Sequence, residues 1–176
     1  MNTDVSKGNG GRQRNAQQCA RARANTAPAR IVKATRCWIG TPYHDQASVR
    51  GVGCDCLGLL RGVWRDVIGP EPLDDTRPVP PYSRDWGEMG PTEILAEAAR
   101  AAMAELDVSG ARTGDVILFR MRAGAIAKHC GILSGQGSFI HAYERTGVIE
   151  EYLTPAWQRR IAYAFRFPDP VNRKTR

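Results

Sequence analysis

No run in this 176-residue chain approaches the roughly 18 consecutive apolar residues that a membrane span requires, so membrane insertion is not expected. The first 30 residues also lack the apolar stretch of a secretory signal, which argues for synthesis in the cytoplasm rather than Sec export. The same segment has no Leu, Ile, Phe, Tyr or Trp, and so cannot bury enough apolar surface to offset the entropy of ordering it. It reads as a flexible basic arm. Cysteine is too sparse and irregular for a disulfide scaffold, with five residues, an odd number, and no C-x-x-C pair. A zinc site drawn from Cys54, Cys56, Cys130, His129 and His141 would lack that paired spacing too, and neither a metal nor another cofactor is expected.

A basic patch on the folded part is also missing. The formal net charge is +7, but residues 1–30 carry +5 and residues 168–176 carry +2, leaving 16 basic and 16 acidic side chains between them. A domain that grips phosphate backbones shows its basic surface on the fold itself, so no nucleic acid is expected to bind through the folded domain. What is present is enough apolar sequence, 42% of the chain, for one core. The expected organisation is an arm over 1–30, a domain over 31–167 and a basic tail over 168–176.

Hydrophobic spacing divides that domain in two. Ile31, Thr35, Trp38 and Ile39 share one helical face, ended by Gly40-Thr41-Pro42. A loop is expected from Tyr43 to Gly53. From Cys56 to Ile68, the positions Cys56, Leu60, Val63 and Val67 form a second helical stripe. Residues 70–90, rich in Pro, Asp and Gly, read as an irregular excursion, and Pro91 to Leu106 as a third helix. Beyond Gly114 come five short runs expected as strands: Asp115–Phe119, Lys128–Leu133, Ser138–Tyr143, Val148–Tyr152 and Ile161–Phe167. Helices followed by consecutive strands imply an α+β fold with a mostly antiparallel sheet.

Cys56 opens the second helix. There its sulfur faces unsatisfied N–H groups and the positive end of the helix dipole, which favour thiolate over thiol. The plain alternative is a small buried residue starting a packed stripe. His129 and His141 flank a turn at Ser134-Gly135-Gln136. A three-residue loop would pair Leu133 with Gly137 and set the two histidines directly opposite on one face, whereas a two- or four-residue loop would send them to opposite faces. On one face, one imidazole would take the thiol proton while the other fixes its tautomer. Asp55 is either the N-cap of the helix or a substrate contact, His44 a loop residue, and Trp38, Trp64 and Trp157 core residues. Trp86 would line a groove.

Five segments carry a resemblance: Gly40-Thr41-Pro42-Tyr43, Asp55-Cys56-Leu57-Gly58, Gly114-Asp115-Val116-Ile117, His129-Cys130-Gly131-Ile132 and Phe139-Ile140-His141-Ala142. In this order and spacing they resemble the motifs of the NlpC/P60 cysteine peptidases, over about residues 31–167. The run from Gly53 to Pro72 resembles the branch found in tailed phages and gene transfer agents. The resemblance implies a papain-like minimal fold and hydrolysis of peptidoglycan stem peptides, typically between D-γ-glutamyl and a diamino acid. It implies Cys56 as nucleophile, His129 as general base and acid, and His141 as the polar residue that orients it. Tyr43 would stand by the oxyanion hole, with the Cys56 N–H as second donor. Leu57 stands where the family usually has Ser, and Gln46-Ala47 near where many members have paired glycines, so the groove is expected to differ.

The partners so implied are a peptidoglycan stem peptide as substrate and a tail or hub protein of a phage-like particle, with action at the cell wall. Two alternatives use the same fold. One is a catalytically silent structural tail protein, and the other is an amidase or acyltransferase.

Overall fold

A computed structural model describes residues 27–72, 92–135 and 137–169. Residues 27–30, expected as the end of the flexible arm, instead begin a helix, because the apolar face of Ile31 and Thr35 extends back through them. The rest of the arm before residue 27, the excursion from 73 to 90 with Trp86, Cys19, and the tail beyond 169 lie outside the described residues. Helix α1, Ala27–Arg36, buries Ile31, Val32 and Thr35, and the Thr35 hydroxyl donates back to the Ile31 carbonyl at 2.7 Å. The chain leaves the helix at Arg36, and Trp38 still turns into the core. Ile39 does not: it is 45% exposed, because it follows the helix end, where helical spacing no longer sets direction.

The stretch expected as a loop contains a small hairpin, β1 (Ser48–Val49) with β2 (Gly53–Cys54). It runs directly into α2, Cys56–Val67, which buries Leu59, Leu60, Val63, Trp64 and Val67. Gly62 lies beneath the indole of Trp38, and a Cβ built there would stand 1.9 Å from a ring carbon. Trp38 is held over that gap by its Nε1–H, which donates to Asp66 at 3.1 Å.

Helix α3 spans Ile94–Ala102, shorter than the helix expected to reach Leu106. Met103 is extended, and Ala104–Leu106 forms strand β3 against the last strand. An unpaired sheet edge beside these residues offers ladder hydrogen bonds that override their helix propensity. After a 3₁₀ turn at Val108–Gly110 come β4 (Val116–Phe119), β5 (His129–Gly135), β6 (Ser138–Tyr143), β7 (Gly147–Tyr152), the short helix α4 (Pro155–Gln158) and β8 (Ile161–Arg166). The six-stranded sheet has the order β3-β8-β4-β5-β6-β7, with every neighbour antiparallel. The fold is α+β, as expected. Among the described residues no helix is long and apolar enough to cross a membrane.

The two faces of the sheet have different neighbours. Val116, Leu118, Cys130, Ile132, Ile140 and Phe165 pack with the helices in the main core. Ile117, Phe119, Leu133, Phe139 and Ala164 form a smaller cluster on the other face, against Leu153, Trp157 and Ile161. Asp115, 3% exposed, ties the start of β4 to the end of β8 by accepting two hydrogen bonds from Arg166, at 2.9 and 2.8 Å.

The seating of α2 makes a direct prediction. Gly62→Ala places a methyl group inside the Trp38 ring, and an over-packed core position of this kind costs about 1–3 kcal/mol. Urea unfolding should show that loss. Gly110→Ala, where a Cβ meets nothing within 4 Å, should not.

Candidate active site

Cys56 is the first residue of α2, and its position follows from Asp55. One Asp55 oxygen accepts from the Gly58 N–H at 2.7 Å, as an N-cap, and the other accepts from the Gln46 N–H at 2.8 Å. Asp55 is 2% exposed. The structure therefore gives it the capping role, and through Gln46 it also anchors the preceding loop. Gly58 permits the loop to come this close: a Cβ there would lie 1.8 Å from the Ala47 carbonyl oxygen.

The sulfur of Cys56 points toward the start of β5, with the Lys128 carbonyl 3.9 Å away. A hydrogen bond from the Cys130 thiol holds the Cys56 thiol well below its ordinary range; burial opposes this, and the hydrogen bond and charge of His129 reinforce it. Cys130 itself is buried, with its sulfur also 3.2 Å from the Cys56 carbonyl, and it is pushed well above the usual thiol range by its hydrogen bond to the Cys56 sulfur and by burial. One thiol is thus activated at the expense of its neighbour. The second thiol was not foreseen. Its only signal in the sequence is a cysteine directly after the histidine.

His129 opens β5, and its Nε2 lies 2.7 Å from Nδ1 of His141 on β6. The expected register was wrong, however. Leu133 pairs with Phe139, not Gly137, so His141 is a diagonal rather than a direct neighbour of His129. The hairpin end pairs Gly135 with Ser138, a tight connection that alone would put the histidines on opposite faces. A β-bulge restores the parity. Between the Gly135 and Leu133 pairings β5 has one extra residue, Ser134, and beyond it both imidazoles point to the same side.

That side is the one with the smaller apolar cluster. Trp157 of α4 stacks on His129 with centroids 5.8 Å apart, and Phe139 lies 4.6 Å from His141. Arg160 covers the indole at 5.5 Å. Trp157, expected as core, is half-buried and forms the outer wall of the histidine pair. Trp38 and Trp64 are core residues. His141 is fully buried, and burial first, then the charge of His129, pushes its imidazole down to about 3. It stays neutral wherever a thiolate is useful. Its remaining nitrogen, Nε2, faces β7, where a carboxylate oxygen of Glu151 lies 2.7 Å away.

Tyr43 is half-buried beside β2, and its hydroxyl donates to Asp45 at 3.0 Å. Burial, that hydrogen bond and the negative charge of Cys56 raise its phenol above the usual range, so it remains a donor on the thiol side of the site. His44 is an exposed loop residue, with Nδ1 3.0 Å from the Asp45 carbonyl. The structure thus brings Cys56, His129, His141 and Tyr43 to one place and leaves His44 outside. Among the described residues no group of three or more His, Cys, Asp or Glu side chains is placed to hold a metal ion. A thiolate at a helix N-terminus, an imidazole beside it and a neutral second imidazole behind can perform nucleophilic acyl transfer.

This fold is found in known proteins. Residues 40–166 match the NlpC/P60 family, and the chain belongs to it. It is 30% identical over 139 residues to the Escherichia coli K12 protein named Murein DD-endopeptidase MepS/Murein LD-carboxypeptidase, covering 78% of this chain and 62% of that protein. It is 28% identical over 160 residues to Murein DD-endopeptidase MepH of the same strain, covering 84% of this chain and 51% of the relative. The chain therefore spans only about half to three-fifths of these curated relatives' length. Among solved structures, the NlpC/p60 domain of the peptidoglycan hydrolase SagA superposes with a TM-score of 0.55 at 25% identity, over 80% of this chain and 98% of that one.

The electrostatics of the two thiols can be read by alkylation. Because the Cys56 thiol is depressed, its charged form persists as pH falls, and iodoacetamide at mildly acidic pH should label Cys56 ahead of the exposed Cys37. Cys130→Ala removes the thiol donor that does most to lower Cys56, so the pH midpoint of Cys56 labelling should move upward. Mass spectrometry of labelled peptides over a pH series measures both.

Proposed function

We propose that residues 31–167 form a thiol hydrolase of peptidoglycan stem peptides. The observation that carries this reading is the juxtaposition at α2 and β5. Cys56 stands at a helix N-terminus with its thiol depressed, and His129 beside it is hydrogen-bonded at 2.7 Å to a neutral, buried His141. Family membership and the relatives named as murein endopeptidases support the substrate class.

In this mechanism the Cys56 thiolate attacks the scissile carbonyl carbon. The Cys56 N–H and the Tyr43 hydroxyl, turned from Asp45, stabilise the oxyanion. His129, holding the thiol proton, delivers it to the departing amine, leaving a thioester on Cys56. The same imidazole then deprotonates a water that hydrolyses the thioester and regenerates the thiol. For the bond, the motif resemblance favours the amide between D-γ-glutamyl and the diamino acid. The relatives' names favour a DD bond instead.

Digestion of defined muropeptides, with products identified by mass spectrometry, tests the reaction and the bond together. Cys56→Ala should abolish hydrolysis while the fold is retained. His129→Ala should be far more damaging than His141→Asn, because the first removes the proton carrier and the second keeps a polar group to hold it. Activity surviving in Cys56→Ala would overturn the reading, and release of an intact stem peptide with a free N-terminal amine, leaving a lactyl carboxylate, would reassign the enzyme as an amidase.

We further propose that the enzyme acts from the tail of a phage-like or gene transfer agent particle. Support comes from the resemblance of Gly53 to Pro72 and from the charge of +5 gathered in residues 1–30 beside a neutral domain. Such a segment would dock on an acidic surface of a tail or hub protein, with a salt dependence set by screening over about 8 Å. Deleting residues 1–26, which keeps α1 whole, should leave muropeptide turnover unchanged and prevent incorporation into particles. Normal incorporation of the truncated protein would remove the docking role.

A further inference from the structure

We infer that Glu151 is a positioning residue that selects the tautomer of the histidine pair and so keeps the nitrogen facing Cys56 free to accept a proton. The inference rests on the thiol chemistry proposed for Cys56 and His129.

The geometry is a chain of contacts leading away from the thiol. His129 Nε2 meets His141 Nδ1 at 2.7 Å, and His141 Nε2 meets Glu151 Oε1 at 2.7 Å. The strand register accounts for the second contact. His141 pairs with Ile149 and Phe139 pairs with Glu151, so Glu151 is a diagonal neighbour of His141 on the same face of the sheet. Its neighbour Glu150 points the other way, to Arg36 at 2.8 Å. His141 Nε2 is fully buried, and no group among the described residues is aligned to hydrogen-bond with it. The Glu151 carboxylate is already at the distance of a charge-assisted hydrogen bond, and its side chain is 35% exposed, so rotation of the carboxylate supplies the missing alignment.

A neutral imidazole carries one hydrogen, and two ring nitrogens at 2.7 Å must share one between them. If His141 carried its hydrogen on Nδ1, its Nε2 lone pair would face the carboxylate, which is repulsive. His129 Nε2 would then accept, and the hydrogen of neutral His129 would sit on Nδ1, the only nitrogen left for Cys56. The base would be blocked. With the hydrogen of His141 on Nε2, it points at Glu151, Nδ1 accepts from His129 Nε2–H, and His129 Nδ1 is open. The carboxylate thus decides, through two rings, which nitrogen of His129 is basic.

The test compares Glu151→Leu and Glu151→Gln in the full-length chain. Side-chain nitrogen NMR reads the tautomers, using a Cys56→Ala background so that no thiol proton is passed to His129, and steady-state kinetics are measured with Cys56 intact. Leu should abolish the preference for Nε2–H on His141 and lower kcat by about tenfold or more, with KM within about twofold. Gln retains an acceptor oxygen, so it should restore the tautomer and recover most of the lost rate. Unchanged tautomers and kcat in Glu151→Leu would overturn the inference. So would a Gln variant as slow as Leu with its tautomers intact, since that would make charge the important property. The NMR readout needs no substrate. If the unaltered protein leaves muropeptides uncut while Leu shifts the tautomers, the hydrolase reading fails and this inference stands.

Discussion

The first turn of α2 is clamped to the loop before it, and the rest of the site depends on that clamp. Asp55 uses one oxygen on Gly58 of the helix and the other on Gln46 of the loop, while the bare Cα of Gly58 lets the Ala47 carbonyl approach to contact. This fixes where the helix begins, and therefore where its free N–H groups point. It also fixes the distance from α2 to the sheet. Cys130 closes the arrangement from the sheet side, its sulfur 3.2 Å from the carbonyl of Cys56. A thiol at a helix N-terminus is only mildly activated by the dipole. Here it also has a thiol donor and an imidazole, because two elements far apart in sequence are locked at one point.

The sheet uses its two faces for different purposes. One carries the main core and receives α1, α2 and α3. The other is only partly covered by α4, and there the histidines lie in an aromatic enclosure of Phe119, Phe139 and Trp157. A fully solvated imidazole pair would be orientationally loose, and a deeply buried one would resist the charge that His129 would carry in the proposed mechanism. Stacking under Trp157 with Arg160 on the outside gives a dry but shallow site. Burial of His141 also keeps it neutral, so the negative charge of Glu151 acts on His129 only at one remove.

A single residue decides whether the two histidines meet. The alternation of a strand has period two, so the tight end of the β5–β6 hairpin would separate them without the bulge at Ser134. The bulge adds one residue to β5 and so inverts which of its side chains beyond that point face the histidine side.

The amino-acid sequence by itself determined the order of helices and strands, because the 3.6 and 2.0 periodicities are local properties of the chain. It also marked Cys56 as a helix-start thiol and placed Tyr43, His129 and His141 in motifs of one family. Tertiary structure alone decided what depends on partners distant in sequence. Ala104–Leu106 became a strand because β8 offered an edge, and Asp55 became a cap tied to Gln46. Leu133 found Phe139 through a bulge that a count of turn residues does not reveal. Trp157 and Glu151 carry no local signal of their own, and Cys130 only that of a cysteine beside a histidine. They matter through what stands within a few ångströms of them, and only the packing of α2, α4 and β7 around one sheet sets those distances.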